Sequence, residues 1–397
     1  MKNGQRVIDM DTHVNPSFET LVKFMDPAFK ARMDDLKPYL RVQNYGTGDF
    51  TTITIAPYPY DRFPGEAPKG DEGAIKPGGR GALEKRVTKS SSHHRVAPRD
   101  GVQDEDAAAR LKDMDDEGRD VDFLIPGTWA SAVTGIKDVT LISGLYRAYH
   151  RYMKTYCSQA PARLKSMVLI PGADVDWAVA EVKSLAKESW VSSVWPLLPA
   201  DMPIDHPKLD PLWEVMNDAH LPIIFHSFFY EPPYFPGYRD IWGNAAVART
   251  AAHPWAAARF LSYLIVGRIF DRYPNINAAS CEVGHGWLPH WVVRLEEMVN
   301  YVSGATPKTD YKPIEYVQMG RFRVGAEPFE GPRITRFCID MLGEDALMHQ
   351  SDYPHGEAAF PDTAQLVMDW PFWKELGPDA LPKHMWGNAA KFLRLEG

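Results

Sequence analysis

From Glu105 onward the chain repeats one unit: a helical run, a short loop, then a brief run of apolar and β-branched residues. The pattern predicts helices over Glu105–Glu117, Thr140–Ala160, Val175–Glu188, Pro211–Ala219, Trp255–Asp271, Leu288–Tyr301 and Gly331–Leu342. It predicts strands over Val121–Pro126, Lys165–Pro171, Trp190–Pro196, Pro222–His226, Asn275–Val283, Arg321–Ala326 and Leu347–Ser351. Val7–His13 adds a strand ahead of these, and Ser17–Met25 a helix opened by a serine cap. Eight apolar strands alternating with helices are the signature of a (β/α)8 barrel, with catalytic groups at the C-terminal ends of the strands.

One segment breaks the rhythm. Asp49–Ala56 reads as a short strand or hairpin, and roughly 57–100 is rich in Gly, Pro, Lys and Ser. An irregular stretch of that length is an excursion, expected over one barrel mouth or along a subunit interface. Residues 1–397 are otherwise read as one domain with this extended loop insertion after the first strand.

Composition narrows the partners. The formal net charge is −8, so no basic excess exists to displace counterions from nucleic-acid phosphates. No stretch approaches the ~20 apolar residues that span a membrane. Three scattered cysteines, Cys157, Cys281 and Cys338, offer neither a disulfide framework nor a CxxC zinc site. Met1–Arg6 lacks the apolar core of a signal peptide, and a cytoplasmic location is the expectation.

The ionisable residues fall where a barrel puts its active site. Strand one ends Asp9-Met10-Asp11-Thr12-His13, and alternation places its three ionisable residues on one face. Buried together they are costly unless paired or bound to a cation. Strand five ends in His226, strand six in Glu282-Val283-Gly284-His285, and strand eight in Ser351-Asp352, with His355 in the turn beyond. Asp11, His13, His226 and Asp352 make a set suited to a divalent Zn, Mn or Fe ion. His285, between two glycines, is expected at the mouth as an acid/base or a ligand to a second metal. Glu282, three residues earlier, is expected to point to the other face as a structural partner. Asp9 suits a supporting role behind the ligands.

These motifs resemble the amidohydrolase superfamily, in its aminocarboxymuconate semialdehyde decarboxylase-like branch. The resemblance rests on Asp9-x-Asp11-x-His13, Ile224-Phe225-His226-Ser227, His285-Gly286 and Ser351-Asp352-Tyr353-Pro354-His355. It extends to Arg110-Leu111-x-Asp113-Met114-Asp115, Gly286-Trp287-Leu288-Pro289-x-Trp291 and Gly387-Asn388-Ala389-Ala390-Lys391-Phe392. It implies that Asp11, His13, His226 and Asp352 hold the metal, and that His285 and Asp352 handle protons. Strand one carries Asp-x-His where many relatives have His-x-His, which favours a harder metal such as Mn or Fe. No lysine stands in Trp190–Pro196 to form a bridging carbamate.

Three functions fit. One is a metal-dependent hydrolase or non-oxidative decarboxylase of a small carboxylated substrate, with aromatic acids among those that fit. Another is a dinuclear Fe or Mn/Fe monooxygenase of the 2-aminoisobutyrate type, with His285 on a second metal. The third is an accessory barrel subunit of a hetero-oligomer. Trp129, Phe228, Phe229 and Tyr230 are candidate pocket walls, and Arg239 is a candidate partner for a substrate carboxylate. The aromatic-rich helix Trp287–Tyr301 and the long early loop suit a homodimer or a hetero-oligomer with a related barrel.

Overall fold

The computed structural model describes residues 1–44, 49–53, 106–127, 129–133, 136–199, 202–227, 245–355 and 358–395. The 57–100 excursion, Phe228, Phe229, Tyr230 and Arg239 lie outside these residues. The first barrel strand is β1 (Ile8–Val14), and a small antiparallel hairpin follows, β2 (Leu40–Asn44) with β3 (Asp49–Ile53). The other barrel strands are β4 (Val121–Pro126), β5 (Leu164–Pro171), β6 (Val191–Leu197), β7 (Ile223–His226), β8 (Ala278–Cys281), β9 (Phe322–Ala326) and β10 (Leu347–His349). They pair in parallel in the order β1-β4-β5-β6-β7-β8-β9-β10. Every described residue of these eight strands is buried, as expected where a parallel sheet is covered on both faces. The (β/α)8 architecture read from the sequence is the one observed.

The sheet closes through residues just past β10. Thr12 bridges Tyr353 in parallel, the His13 N–H donates to the Tyr353 carbonyl at 2.7 Å, and the Asp352 N–H donates to the Asp11 carbonyl at 2.9 Å. Three expected ligands therefore lie on one seam.

The helical layer includes α1 (Phe18–Phe24), α2 (Ala107–Glu117), α3 (Val139–Cys157), α4 (Val175–Leu185), α5 (Asp210–Asp218), α6 (Ala245–Val266), α7 (Leu288–Tyr301) and α8 (Gly331–Leu342). Local chemistry sets several ends. Ser17 Oγ accepts the Thr20 N–H, and Asp106 Oδ1 accepts those of Ala108 and Ala109. Gly118 ends α2 in the left-handed region at φ 89°, with the Met1 carbonyl 3.1 Å from where a Cβ would stand. Two elements depart from the sequence reading. Helix α6 starts at Ala245 and runs through Pro254, since burial of Ala257, Leu261, Leu264 and Ile265 beyond it outweighs the lost donor. Strand β8 stops at Cys281, because Glu282 takes φ 51° and Gly284 φ 69°. Among the described residues, no helix is long and apolar enough to cross a membrane.

Behind the seam lies a buried charge network. Arg119 lies 3.4 Å from Asp9, 3.4 Å from Glu117 and 3.3 Å from Asp122. Arg110 pairs with Asp122 at 3.0 Å and donates to the His13 carbonyl. Both guanidinium groups stack on the Tyr353 ring, whose hydroxyl donates to Asp113 at 3.0 Å. Burial drives the Asp9 carboxyl up to about 7 against the pull of Arg119. Arg119→Leu would leave Asp9 and Glu117 without their cation, while Asp122 keeps Arg110. The expected loss is about 3–5 kcal/mol in urea unfolding, whereas a loss under about 1 kcal/mol would show the carboxyls already protonated.

A second buried polar group sits between β10 and the C-terminal turn. His349 and His384 are fully or almost fully buried with ring centroids 6.3 Å apart, and none of their four ring nitrogens makes a hydrogen bond among the described residues. Burial holds His349 down to about 3 and His384 well below the ordinary histidine value. A depressed imidazole contributes stability in full above the unfolded value of 6.5, and loses it as pH falls from there towards about 3. His384→Phe, which keeps the packing on Trp373, is expected to flatten the fall in melting temperature between pH 7 and pH 5. An unchanged slope in that variant would assign the acid sensitivity elsewhere.

Candidate metal centre

Alternation along β1 turns Asp11 and His13 inward, and the pairing of β1 with Tyr353 brings Asp352 beside them. Asp352 is left-handed at φ 65°, an uncommon conformation for a side-chain-bearing residue, held by its N–H on the Asp11 carbonyl. His226 arrives from across the barrel as the last residue of β7. His13 Nε2 stands 2.8 Å from Asp352 Oδ1 and 3.4 Å from Asp11 Oδ1, and His226 Nε2 stands 3.5 Å from Asp11 Oδ1. One donor atom from each of the four lies within 4.8 Å of the others, and all four side chains are buried.

This donor set fits a divalent cation. Ligands about 2.0–2.2 Å from a zinc-like ion are separated from one another by roughly 3.0–3.5 Å, close to the spacings here. Two imidazoles and two carboxylates supply neutral and anionic donors for one divalent ion. Burial pushes the His226 imidazole down, but the Asp11 carboxylate outweighs it, and the net shift is upward. Without a cation, that ring is therefore held in its protonated form to higher pH, and an incoming metal competes with the proton.

A sequence profile described as amidohydrolase matches residues 8–395. The chain belongs to the amidohydrolase family. No curated protein matches the sequence. Among solved structures, this amidohydrolase is similar to 5-carboxyvanillate decarboxylase from Novosphingobium aromaticivorans, complexed with manganese and 4-hydroxy-3-methoxy-5-nitrobenzoic acid. The TM-score is 0.66 at 16% identity, covering 99% of this chain and 97% of that one. It is similar to an amidohydrolase from Mycobacterium avium subsp. paratuberculosis, with TM-score 0.69, 18% identity and 98% of both chains covered. It is also similar to 2,6-dihydroxybenzoate decarboxylase from Rhizobium, with TM-score 0.59, 16% identity, and 79% and 95% covered. At these identities the likeness establishes the shared fold.

The remaining candidates of this amidohydrolase divide sharply. His285 is fully buried but does not join the four: its Nδ1 lies 2.8 Å from Glu330 Oε2 and its Nε2 3.0 Å from Thr335 Oγ1. In this placement the ring faces Glu330 and Thr335 and contributes no atom to the four-residue group. Glu282 takes the place at the site instead. Its left-handed backbone breaks the strand alternation, so Oε2 lies 3.2 Å from His226 Nε2 and accepts from Ser227 Oγ at 2.6 Å. The signal available in the sequence was Gly284 two residues on, which marks a backbone leaving the strand.

Other placements follow the seam. His355 packs edge-on to His13 with ring centroids 4.6 Å apart. Asp9 accepts the Asp11 and Ser351 N–H groups on Oδ1 and the Ser351 hydroxyl on Oδ2, which ties both ligand-bearing segments together. Trp129 sits in the helical layer against Tyr146 and Tyr149. Trp195 of β6, which sequence reasoning passed over, comes within 6.1 Å of the His226 ring. Glu327, beyond β9, accepts the Gly284 N–H at 2.9 Å, and burial raises its carboxyl well above the usual range.

Displacement of the His226 proton makes metal affinity pH-dependent. Calorimetric titration with Mn²⁺ between pH 6 and 8 is expected to show affinity rising with pH, by up to about tenfold per unit per proton displaced. His226→Ala is expected to abolish stoichiometric binding at every pH. Equal affinity across the range would show that no ligand is protonated beforehand.

Proposed function

We propose that this amidohydrolase is a divalent-metal-dependent, non-oxidative decarboxylase of a hydroxylated aromatic carboxylate. The observation that carries the reading is a single buried donor set of Asp11, His13, His226 and Asp352, with one further carboxylate, Glu282, beside it. Lys165 is the one lysine among the described barrel strands, and its ammonium is tied to the Pro161 and Ser189 carbonyls. Among the described barrel strands a carbamate bridge between two metals has no free lysine to form on, and His285 turns to Glu330 and Thr335 instead of the four-residue group. The fold neighbours with known reactions, acting on 5-carboxyvanillate and 2,6-dihydroxybenzoate, support an aromatic acid as the substrate class. The manganese of the former supports Mn²⁺ as the ion.

A divalent ion on these four residues supplies positive charge that orients a carboxylate or phenolate and stabilises charge developing on the ring. The protein must then exclude water and deliver one proton. In the reaction, the bond from ring carbon to carboxyl carbon breaks, its electron pair stays on the ring carbon, and carbon dioxide leaves. A proton must reach that carbon. Asp352, beside His13, and Glu282, fixed by Ser227, are the carboxyl groups placed to hold it. The buried ends of β1 and β7 keep bulk water from competing.

The test is carbon dioxide release from a panel of ortho- and para-hydroxylated benzoates by the Mn²⁺-loaded protein. Glu282→Gln, which keeps the shape and removes the titrating proton, is expected to lower kcat about 10²-fold with little change in KM. Oxygen uptake with no carbon dioxide released from the carboxyl group would replace this reading with an oxygenase.

A further inference from the structure

Three successive backbone N–H groups after β8 point at two carboxylates from the β9–α8 connection. The Gly284 N–H donates to Glu327 Oε1 at 2.9 Å. Those of His285 and Gly286 both donate to Glu330 Oε2, at 2.8 and 2.9 Å. His285 Nδ1 lies 2.8 Å from the same oxygen. Glu327 follows β9 directly, and Glu330 closes the short turn Pro328–Glu330 that leads into α8. Successive N–H groups turned to one side form a concavity that binds anions, and here the chain supplies its own. Two loop carbonyls are taken as well. Gly284 accepts from Trp287 Nε1 at 3.0 Å, and His285 from the Leu288 N–H at 3.2 Å.

We propose that Glu327 and Glu330 are positioning residues, which grip this loop and thereby hold the Glu282 carboxylate against His226. The inference rests on the proposed function insofar as Glu282 holds the proton there. The backbone gives one reason a grip is needed. Glu282 stands left-handed at φ 51°, a conformation that a side-chain-bearing residue keeps only where its surroundings enforce it. Gly284 is left-handed again at φ 69°. Electrostatics gives the other reason. His226 Nε2 lies between Glu282 Oε2 and Asp11 Oδ1, at 3.2 and 3.5 Å. Two carboxylates drawn to one imidazole repel each other, so the segment that carries Glu282 must be fixed. Ser227 holds the carboxylate end, donating at 2.6 Å. Glu327 and Glu330 hold the backbone end.

The glycines on either side of His285 follow from the grip. A Cβ on Gly284 would stand 2.6 Å from Glu330 Oε1, and one on Gly286 2.8 Å from Ile334 Cγ2 of α8. Any side chain there would push the start of α8, and its carboxylate, away from the loop. Glu327 is buried and the Glu330 side chain only 26% exposed, so neither is an ordinary solvated surface charge. The Gly-His-Gly sequence is thus the docking place for the start of α8, and a shift of that helix is passed on to Glu282.

A double-mutant cycle on the full, Mn²⁺-loaded chain is the test. Glu330→Ala is expected to lower kcat about 10²-fold with KM little changed, matching Glu282→Gln. Glu330→Gln, which keeps an acceptor oxygen for both N–H groups, is expected to stay within about tenfold of the wild type. Added to Glu282→Gln, Glu330→Ala should cost nothing further, because its effect passes through a carboxylate already removed. Losses that multiply overturn the inference. The crystal structure of Glu330→Ala is a second readout that needs no turnover. Glu282 is expected to leave Ser227 and His226 in it, and a carboxylate still seated on both overturns the inference. Should Glu330→Ala not fold, Glu327→Ala, which spares the start of α8, is read in the same two ways. A wild type that releases no carbon dioxide overturns the proposed function instead, and the crystal structure then decides the grip alone.

Discussion

The structure depends on one seam, where the first barrel strand meets the segment following the last. Two backbone hydrogen bonds close it, from Asp352 to Asp11 and from His13 to Tyr353. The same four residues include three of the four candidate metal ligands. Ring closure and ligand placement are therefore one event, and a register slip here would dismantle both. Asp9 reinforces the seam by taking two backbone N–H groups and the Ser351 hydroxyl. Such supporting contacts fix a ligand's orientation as firmly as its own rotamer does.

The charged residues behind the seam explain why so polar a region survives inside a barrel. Asp9, Glu117 and Asp122 share Arg119, while Arg110 satisfies Asp122 and the His13 carbonyl. Tyr353 is the hinge between the two systems, its ring under both guanidinium groups and its backbone in the closing bridge. Desolvation of this many charges costs several kcal/mol per ion before pairing offsets it. The arrangement thus trades stability for a fixed geometry around Asp11 and His13.

Much of this was legible in the sequence, and the limits have physical causes. Strand-helix alternation revealed the barrel because parallel strands buried on both faces are predominantly apolar, as in Phe123–Pro126 and Met167–Pro171. The convergence of Asp11, His13, His226 and Asp352 was legible because ionisable residues ending otherwise apolar strands have few innocuous explanations. Glu282 faces His226 and His285 faces Glu330, the reverse of the expected facing, because the period-two rule ends with β8, where a left-handed residue resets the side chains. The support from Arg119 was invisible because its partners Asp9 and Asp122 come from different strands, and sequence spacing says nothing of that distance. Helix α6 begins ahead of the expected Trp255 because the burial that offsets the donor lost at Pro254 is tertiary and has no local signature.

The seam also orders events in the life of the chain. His13 and Asp352, in contact at 2.8 Å, are 339 positions apart. At about 5–20 residues per second, roughly 20–70 s separate their emergence from the ribosome. Throughout that interval the first two ligands exist without the fourth, and no ion can find the complete set. Metal capture by this candidate set would consequently be a late step that reports a finished barrel. A cation that binds only there holds the last strand to the first, as a clasp fastened after the ring has been drawn closed.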